Sequence, residues 1–169
     1  GDLFIWTFPN CGNPQKSQRY CAEWAAALRK MEKLDAELLL PGHGPPIQGK
    51  ELVRKVLSET AFALESIFEQ TIEAINAGLR LIDVIEKVKL PKEILEKPYL
   101  VPQYDQIEFI VRNIWRLYAG WWDGNPSHLE PVHDRVLAGE IVKLAGGVKA
   151  LQTRIQTLLS DNSKESLAL

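Results

Sequence analysis

The sequence predicts a mostly helical chain opened by a short α/β segment. Residues 1–47 carry brief apolar runs separated by proline and glycine clusters, the pattern of strands, loops and one helix. From Gln48 onward apolar residues recur at steps of three and four, the pattern of one buried helical face after another. The composition, 46% apolar and 25% charged over 169 residues, is that of an ordinary folded globule of one domain or slightly more.

Leu3 to Phe8 has the length and content of a strand, and it stops at Pro9-Asn10-Cys11-Gly12-Asn13-Pro14. Asn13-Pro14 suits a helix start, with Asn as cap and Pro in the first position. Tyr20, Trp24, Ala27, Leu28 and Met31 keep helical spacing through about Leu34. Glu37 to Leu40 reads as a second strand, closed by Pro41-Gly42-His43-Gly44-Pro45-Pro46. Two strands and one helix cannot bury both faces of a sheet, so this segment is expected to end a larger α/β domain or to pair with another chain.

Val53, Leu57, Thr60, Leu64, Ile67, Thr71 and Ala74 then form one stripe that ends near Gly78. The helix they imply is about 40 Å long at 1.5 Å per residue and is expected to lie on a partner subunit or in a long bundle. Leu81 to Val88 is a second helix of this part, and Pro91 opens a short third. Leu100-Val101-Pro102 is an extended link. Tyr104 to Ala119 is helical, with Ile107, Ile110, Val111, Ile114 and Leu117 inward. A turn follows at Gly120-Trp121-Trp122-Asp123-Gly124-Asn125-Pro126. Val132 to Ala145 and Val148 to Leu159 are the last helices, parted by Gly146-Gly147, and the final ten residues are polar.

Net charge is −2, which excludes a strongly basic domain held on nucleic acid by bulk charge. No apolar run reaches the roughly 18–20 residues that span a bilayer. The N-terminus lacks the basic region of a signal peptide, so a cytoplasmic setting with reduced Cys11 and Cys21 is expected. The chain does not open on Met, which leads us to expect that it starts inside a longer protein.

Three segments could carry chemistry. Asp2, at the edge of the first strand, is a carboxylate suited to a metal or to proton transfer. His43 sits between two glycines after the second strand, where its imidazole can reach a cation such as zinc. Asn13, Lys16 and Arg19 surround the expected helix N-terminus, a place that favours anions. A turn aspartate, a solvated loop histidine and a solvated basic helix edge are the bland readings of the three. In an α/β sheet, loops at the same strand ends share one crevice, and there these groups would suit metal-assisted hydrolysis of an anionic ester.

Gly1-Asp2 and Pro41-Gly42-His43-Gly44, with the spacing between them, resemble the last two metal-ligand motifs of metallo-β-lactamase-fold hydrolases. Pro9 to Lys16 with Gln18-Arg19-Tyr20 looks like the alkyl sulfatase branch of that superfamily. Gly120 to Pro126 and Leu144-Ala145-Gly146-Gly147 are similar to its helical dimerisation domain. The resemblance covers nearly the whole chain and is specific in residues 1–47 and 118–147. It implies that residues 1–47 close an αββα hydrolase domain and that residues 48–169 form an all-α dimerisation bundle. It implies a two-zinc site in which Asp2 bridges the metals and His43 is a terminal ligand. The branch often carries Glu where Asp2 stands, so the assignment of Asp2 follows the wider superfamily. Asn13, Lys16 and Arg19 would lie on the sulfate side, and the metal pair would activate water against the sulfate ester.

The superfamily's His-x-His-x-Asp-His motif is absent. The sequence has three histidines, and His128 and His133 lie in the helical part, where surface or core-edge positions are expected. Two ligands do not complete a zinc site. The chain alone is therefore expected to be inactive, its missing N-terminal half supplying the other ligands. It is expected to form a homodimer through the 51–77 helix. The alternatives are a hydrolase of the same fold acting on another ester, a thioester or a lactam, and a non-catalytic dimerisation module. Trp121-Trp122 reads as an alkyl-chain wall, a subunit contact or a turn anchored by buried indoles. Cys11 and Cys21 read as small buried residues, and the charges at Arg29-Lys30 and Glu32-Lys33 as a solvated face. Asn162 to Leu169 resembles the start of a further helix.

Overall fold

A computed structural model describes residues 2–103 and 105–160. Gly1, the expected helix start at Tyr104 and the stretch from Asn162 to Leu169 lie outside the described residues. The chain divides into two compact units, Gly1–Pro126 and Ser127–Leu169. Helices dominate: α1 (Cys21–Glu32), α2 (Lys50–Asn76), α3 (Leu81–Lys87), α4 (Lys92–Leu95), α5 (Ile107–Tyr118), α6 (Asp134–Leu144) and α7 (Val148–Ser160). The strands are β1 (Leu38–Leu39) and β2 (Ile47–Gln48), paired antiparallel with Leu38 opposite Gln48 and Leu39 opposite Ile47. The fold class read from the sequence, mostly helical with a short α/β segment, is the one observed.

The seven residues of the α2 stripe, from Val53 to Ala74, are all buried. Thr60 and Thr71 enter that apolar face because each hydroxyl donates to the carbonyl one turn back, on Val56 and Ile67. The helix ends where expected: Gly78 N–H donates to the Ile75 carbonyl and Leu79 N–H to that of Ala74, closing the last orphan acceptors. Of the two covers expected for the stripe, a partner subunit or a bundle, the structure shows a bundle: helices α1 and α5 of the same chain pack on α2.

Other local expectations are corrected. Leu3 to Phe8 is not a strand; only Ile5 bridges, in parallel, to His43. Phe4, Ile5, Thr7 and Phe8 are all buried, whereas a half-buried strand would alternate. Their backbone partners are split, with Trp6 N–H on the His43 carbonyl and Phe8 N–H on that of Val101. Helix α1 begins at Cys21 rather than at Asn13, because Asn13 closes a local turn: its side chain accepts Gln15 N–H at 3.0 Å and its carbonyl accepts Lys16 N–H. The buried face of α1 is Cys21, Ala25 and Leu28, while Tyr20 is exposed. In α5, Trp115 turns inward and Leu117 stays in solvent. Phe4, Phe8, Cys11, Leu28 and Ile47 join the α2 and α5 side chains in one core. The opening segment therefore finds its core on the helices.

Arg29 is not part of a solvated face. Its guanidinium makes two parallel hydrogen bonds to Glu65 of α2, at 2.9 and 2.6 Å, and a third to Ser58. Trp121 is exposed, and the turn is closed instead by Trp115 Nε1–H on the Trp122 carbonyl. Both cysteines are free and buried. His133 and His128 are exposed, and His133 caps α6 by accepting Arg135 N–H on Nδ1. Helix α6 buries none of its residues. Among the described residues no helix is long and apolar enough to cross a membrane.

Candidate functional site

Asp2 and His43, forty-one positions apart, come together. His43 Nε2 lies 3.8 Å from Asp2 Oδ1, and both side chains are about three-quarters exposed. The Ile5–His43 bridge holds the two backbone segments side by side. Trp24 of α1 fixes the approach to Asp2, its Nε1–H donating to the Leu3 carbonyl at 2.7 Å. On the other side the backbone must pass close to Trp6. Gly44 has φ +108°, and a Cβ there would lie 2.4 Å from the Trp6 Cβ, so neither the turn nor the space admits a side chain. Trp6 is braced edge-on by Tyr99, whose hydroxyl donates to Glu59 of α2. Burial and the neighbouring Glu59 hold the Tyr99 phenol above the ordinary tyrosine range.

A carboxylate and an imidazole are suitable zinc donors, but a zinc site takes three or four. Among the described residues no three His, Cys, Asp or Glu side chains converge. The pair is thus compatible with part of a metal shell and is not a shell by itself.

Arg19 shares with Asp2 an open hollow of about 540 Å3, also lined by Leu3, Asn10, Tyr20 and Trp24. Its guanidinium donates to the Asn10 carbonyl at 2.6 Å and stands 5.9 Å from the centre of the Trp24 ring. Asn13 lines a separate hollow of about 250 Å3 with Gly12, Arg112 and Arg116. Lys16 is exposed in the stretch before α1. With α1 starting at Cys21, none of the three sits on a helix N-terminus, so a helix dipole does not create the anion preference expected there.

The sequence reading missed the residues that hold this loop. Asp105 is fully buried, and its carboxylate accepts Gly12 N–H and Gln106 N–H, each at 2.9 Å. Burial raises its carboxyl above the ordinary value, against the pull of these N–H groups and the Arg19 charge. Asn113 Nδ2 donates to the carbonyls of Cys11 and Arg19 at 2.8 and 2.6 Å. A polar Asn113 between Ile110 and Ile114, on the inward face of α5, was the available signal.

A family model described as alkyl sulfatase dimerisation matches residues 80–168, more than half of the chain. A linear primary-alkylsulfatase from Pseudomonas sp. is 37% identical over 125 residues, covering 73% of this chain and 24% of that protein. The alkyl/aryl-sulfatase BDS1 of Saccharomyces cerevisiae is 24% identical over 133 residues, 79% of this chain and 21% of the yeast protein. The solved structure of a stereoselective inverting sec-alkylsulfatase, Pisa1 from Pseudomonas sp., superposes with TM-score 0.87 at 24% identity, over 96% of this chain and 26% of that one. The chain spans about a quarter of the length of these proteins or less.

Proposed function

Since the chain belongs to the alkyl sulfatase dimerisation family, we propose that it is the carboxy-terminal part of a zinc-dependent alkyl sulfatase. In this reading residues 1–47 close a metallo-β-lactamase-type hydrolase domain and residues 48–169 mediate homodimerisation. The observation that carries the hydrolase reading is the meeting of Asp2 with His43. Asp2 and His43 would hold zinc together with ligands supplied from outside this sequence. Zinc bound there would activate water and offset charge on the ester oxygens. The chain's own residues orient the site: Trp24 fixes the backbone beside Asp2 through the Leu3 carbonyl, and the bridge at Ile5 fixes the His43 loop. Arg19, beside Asp2 in the same hollow, would take the anionic end of the ester, with Asn13 and Lys16 nearby in the loop.

The dimerisation reading has separate support in α6. Leu137, Ile141 and Leu144 follow at steps of four and three, one face of the helix, and each is about half exposed or more. Such an apolar face favours burial against another surface, and a second copy of this chain is the occupant we propose.

The test is His43→Ala in the intact protein. We expect its zinc content to fall and hydrolysis of alkyl sulfates to be lost, with the dimer mass unchanged. Retained zinc and turnover would refute the site. Turnover of a thioester or lactam in place of a sulfate ester would move the protein to another branch of the fold.

A further inference from the structure

The loop from Cys11 to Arg19 carries every residue assigned above to the anion, and it has no regular structure. What shapes it is helix α5 and the residues just before it. Gly12 lies directly on that helix: a Cβ there would fall 2.1 Å from the Phe109 carbonyl carbon and 2.2 Å from the Ile110 nitrogen. Backbone therefore rests on backbone, and the Gly12 N–H is bound by the Asp105 carboxylate. At the far end of the loop, Asn113 binds the Arg19 carbonyl, and it also binds the Cys11 carbonyl at the near end. Gln18 completes the frame, its Nε2 donating to the carbonyls of Arg19 and Asn113 and its Oε1 accepting from Arg116.

We propose that Asp105, just before α5, and Asn113, on α5, are positioning residues for anion recognition, setting the place of Asn13 and the Arg19 guanidinium. The inference rests on the functional reading above and extends it to residues on a different segment. A buried carboxylate is a costly way to bind two backbone N–H groups. An apolar side chain would avoid the cost but leave those N–H groups unpaired. The Arg19 guanidinium is itself tied to this segment, donating to the Asn10 carbonyl at 2.6 Å. One amide spanning both ends of a nine-residue loop fixes the separation of those ends, and Arg19 is one of them.

The test compares variants of the intact protein below the melting temperature of each, at equal zinc content. Asp105→Ala and Asn113→Ser should raise both KM for an alkyl sulfate and the inhibition constant of inorganic sulfate by about tenfold, with kcat changed less than about threefold. Asp105→Asn keeps one acceptor and should recover part of the loss, and it serves should Asp105→Ala fail to fold. A lowered melting temperature with sulfate inhibition and KM unchanged would make the two residues purely structural and overturn the inference. Arg19→Ala separates the two levels. If it weakens sulfate binding while Asp105→Asn and Asn113→Ser do not, the inference fails alone. If it leaves sulfate binding unchanged, the anion site itself fails, and the inference with it.

Discussion

Arg29 and Glu65 show how much a single pair gains from fixed geometry. A surface ion pair is worth little because two long side chains must be ordered for it. Here the fork of the guanidinium meets the carboxylate in two parallel bonds, on helices already packed together. Both side chains are about two-thirds covered. Arg29→Ala should therefore cost about 1 kcal/mol, seen as a lower midpoint in urea unfolding. The pH dependence has a definite sign. The hydrogen bond from Arg29 holds the Glu65 carboxyl below its ordinary value of 4.5. Its folded form thus binds protons less readily than the unfolded chain, so the contribution is complete above about 4.5 and is lost as pH falls through the lowered folded value. Glu65→Gln should flatten this part of the acid limb, and an unaltered acid midpoint in that variant would show that the pair does not contribute.

At the scale of an element, α2 is the member on which the first unit is built. Its stripe is covered on one side by α1 and on another by α5. Leu64 is fully buried in the middle of the stripe, and its carbonyl also accepts the Cys21 Sγ–H. Leu64→Ala should destabilise by about 3 kcal/mol, the sum of lost transfer energy and a cavity that the flanking helices cannot close. Chemical denaturation of the intact protein would measure it, and a change below about 1 kcal/mol would mean that α1 collapses into the space. Helix α6 is the contrasting element. It has the same periodicity as α2, yet none of its residues is buried. Periodicity alone reports that a face is apolar and is silent on what covers it.

For the molecule as a whole the consequence concerns assembly. On the reading proposed above, the apolar face left open on α6 would lie at a contact between copies of this chain. Leu137→Glu and Ile141→Glu together should place two carboxylates in that contact. We expect sedimentation to show a monomer in place of a dimer, with helical circular dichroism retained, since neither side chain supports the fold of α6. A dimer of unchanged mass would direct attention to other exposed apolar residues, among them Trp121 and Phe62.

The sequence by itself determined where α2 runs and where it stops. Val53 to Ala74 keeps a single face for its whole length, and Gly78 ends it, because both signals act between near neighbours on the chain. It also brought out Asp2 and His43 as a pair, through their resemblance to the metal-ligand motifs of metallo-β-lactamase-fold hydrolases. Tertiary structure decided everything that depends on distant partners. Asn13-Pro14 has the local chemistry of a helix start, yet a turn forms there, and the stretch up to Arg19 is held by a side chain ninety-four positions away. Leu3 to Phe8 has strand composition, yet Phe4, Ile5, Thr7 and Phe8 are all buried, and its backbone hydrogen bonds are split between the His43 and Val101 carbonyls. Asp105 reads as an ordinary polar residue before a helix and becomes the buried anchor of Gly12. Local propensities amount to tenths of a kcal/mol per residue, whereas a buried N–H left unpaired costs about 1–3 kcal/mol, so the long-range partners prevail wherever the two conflict.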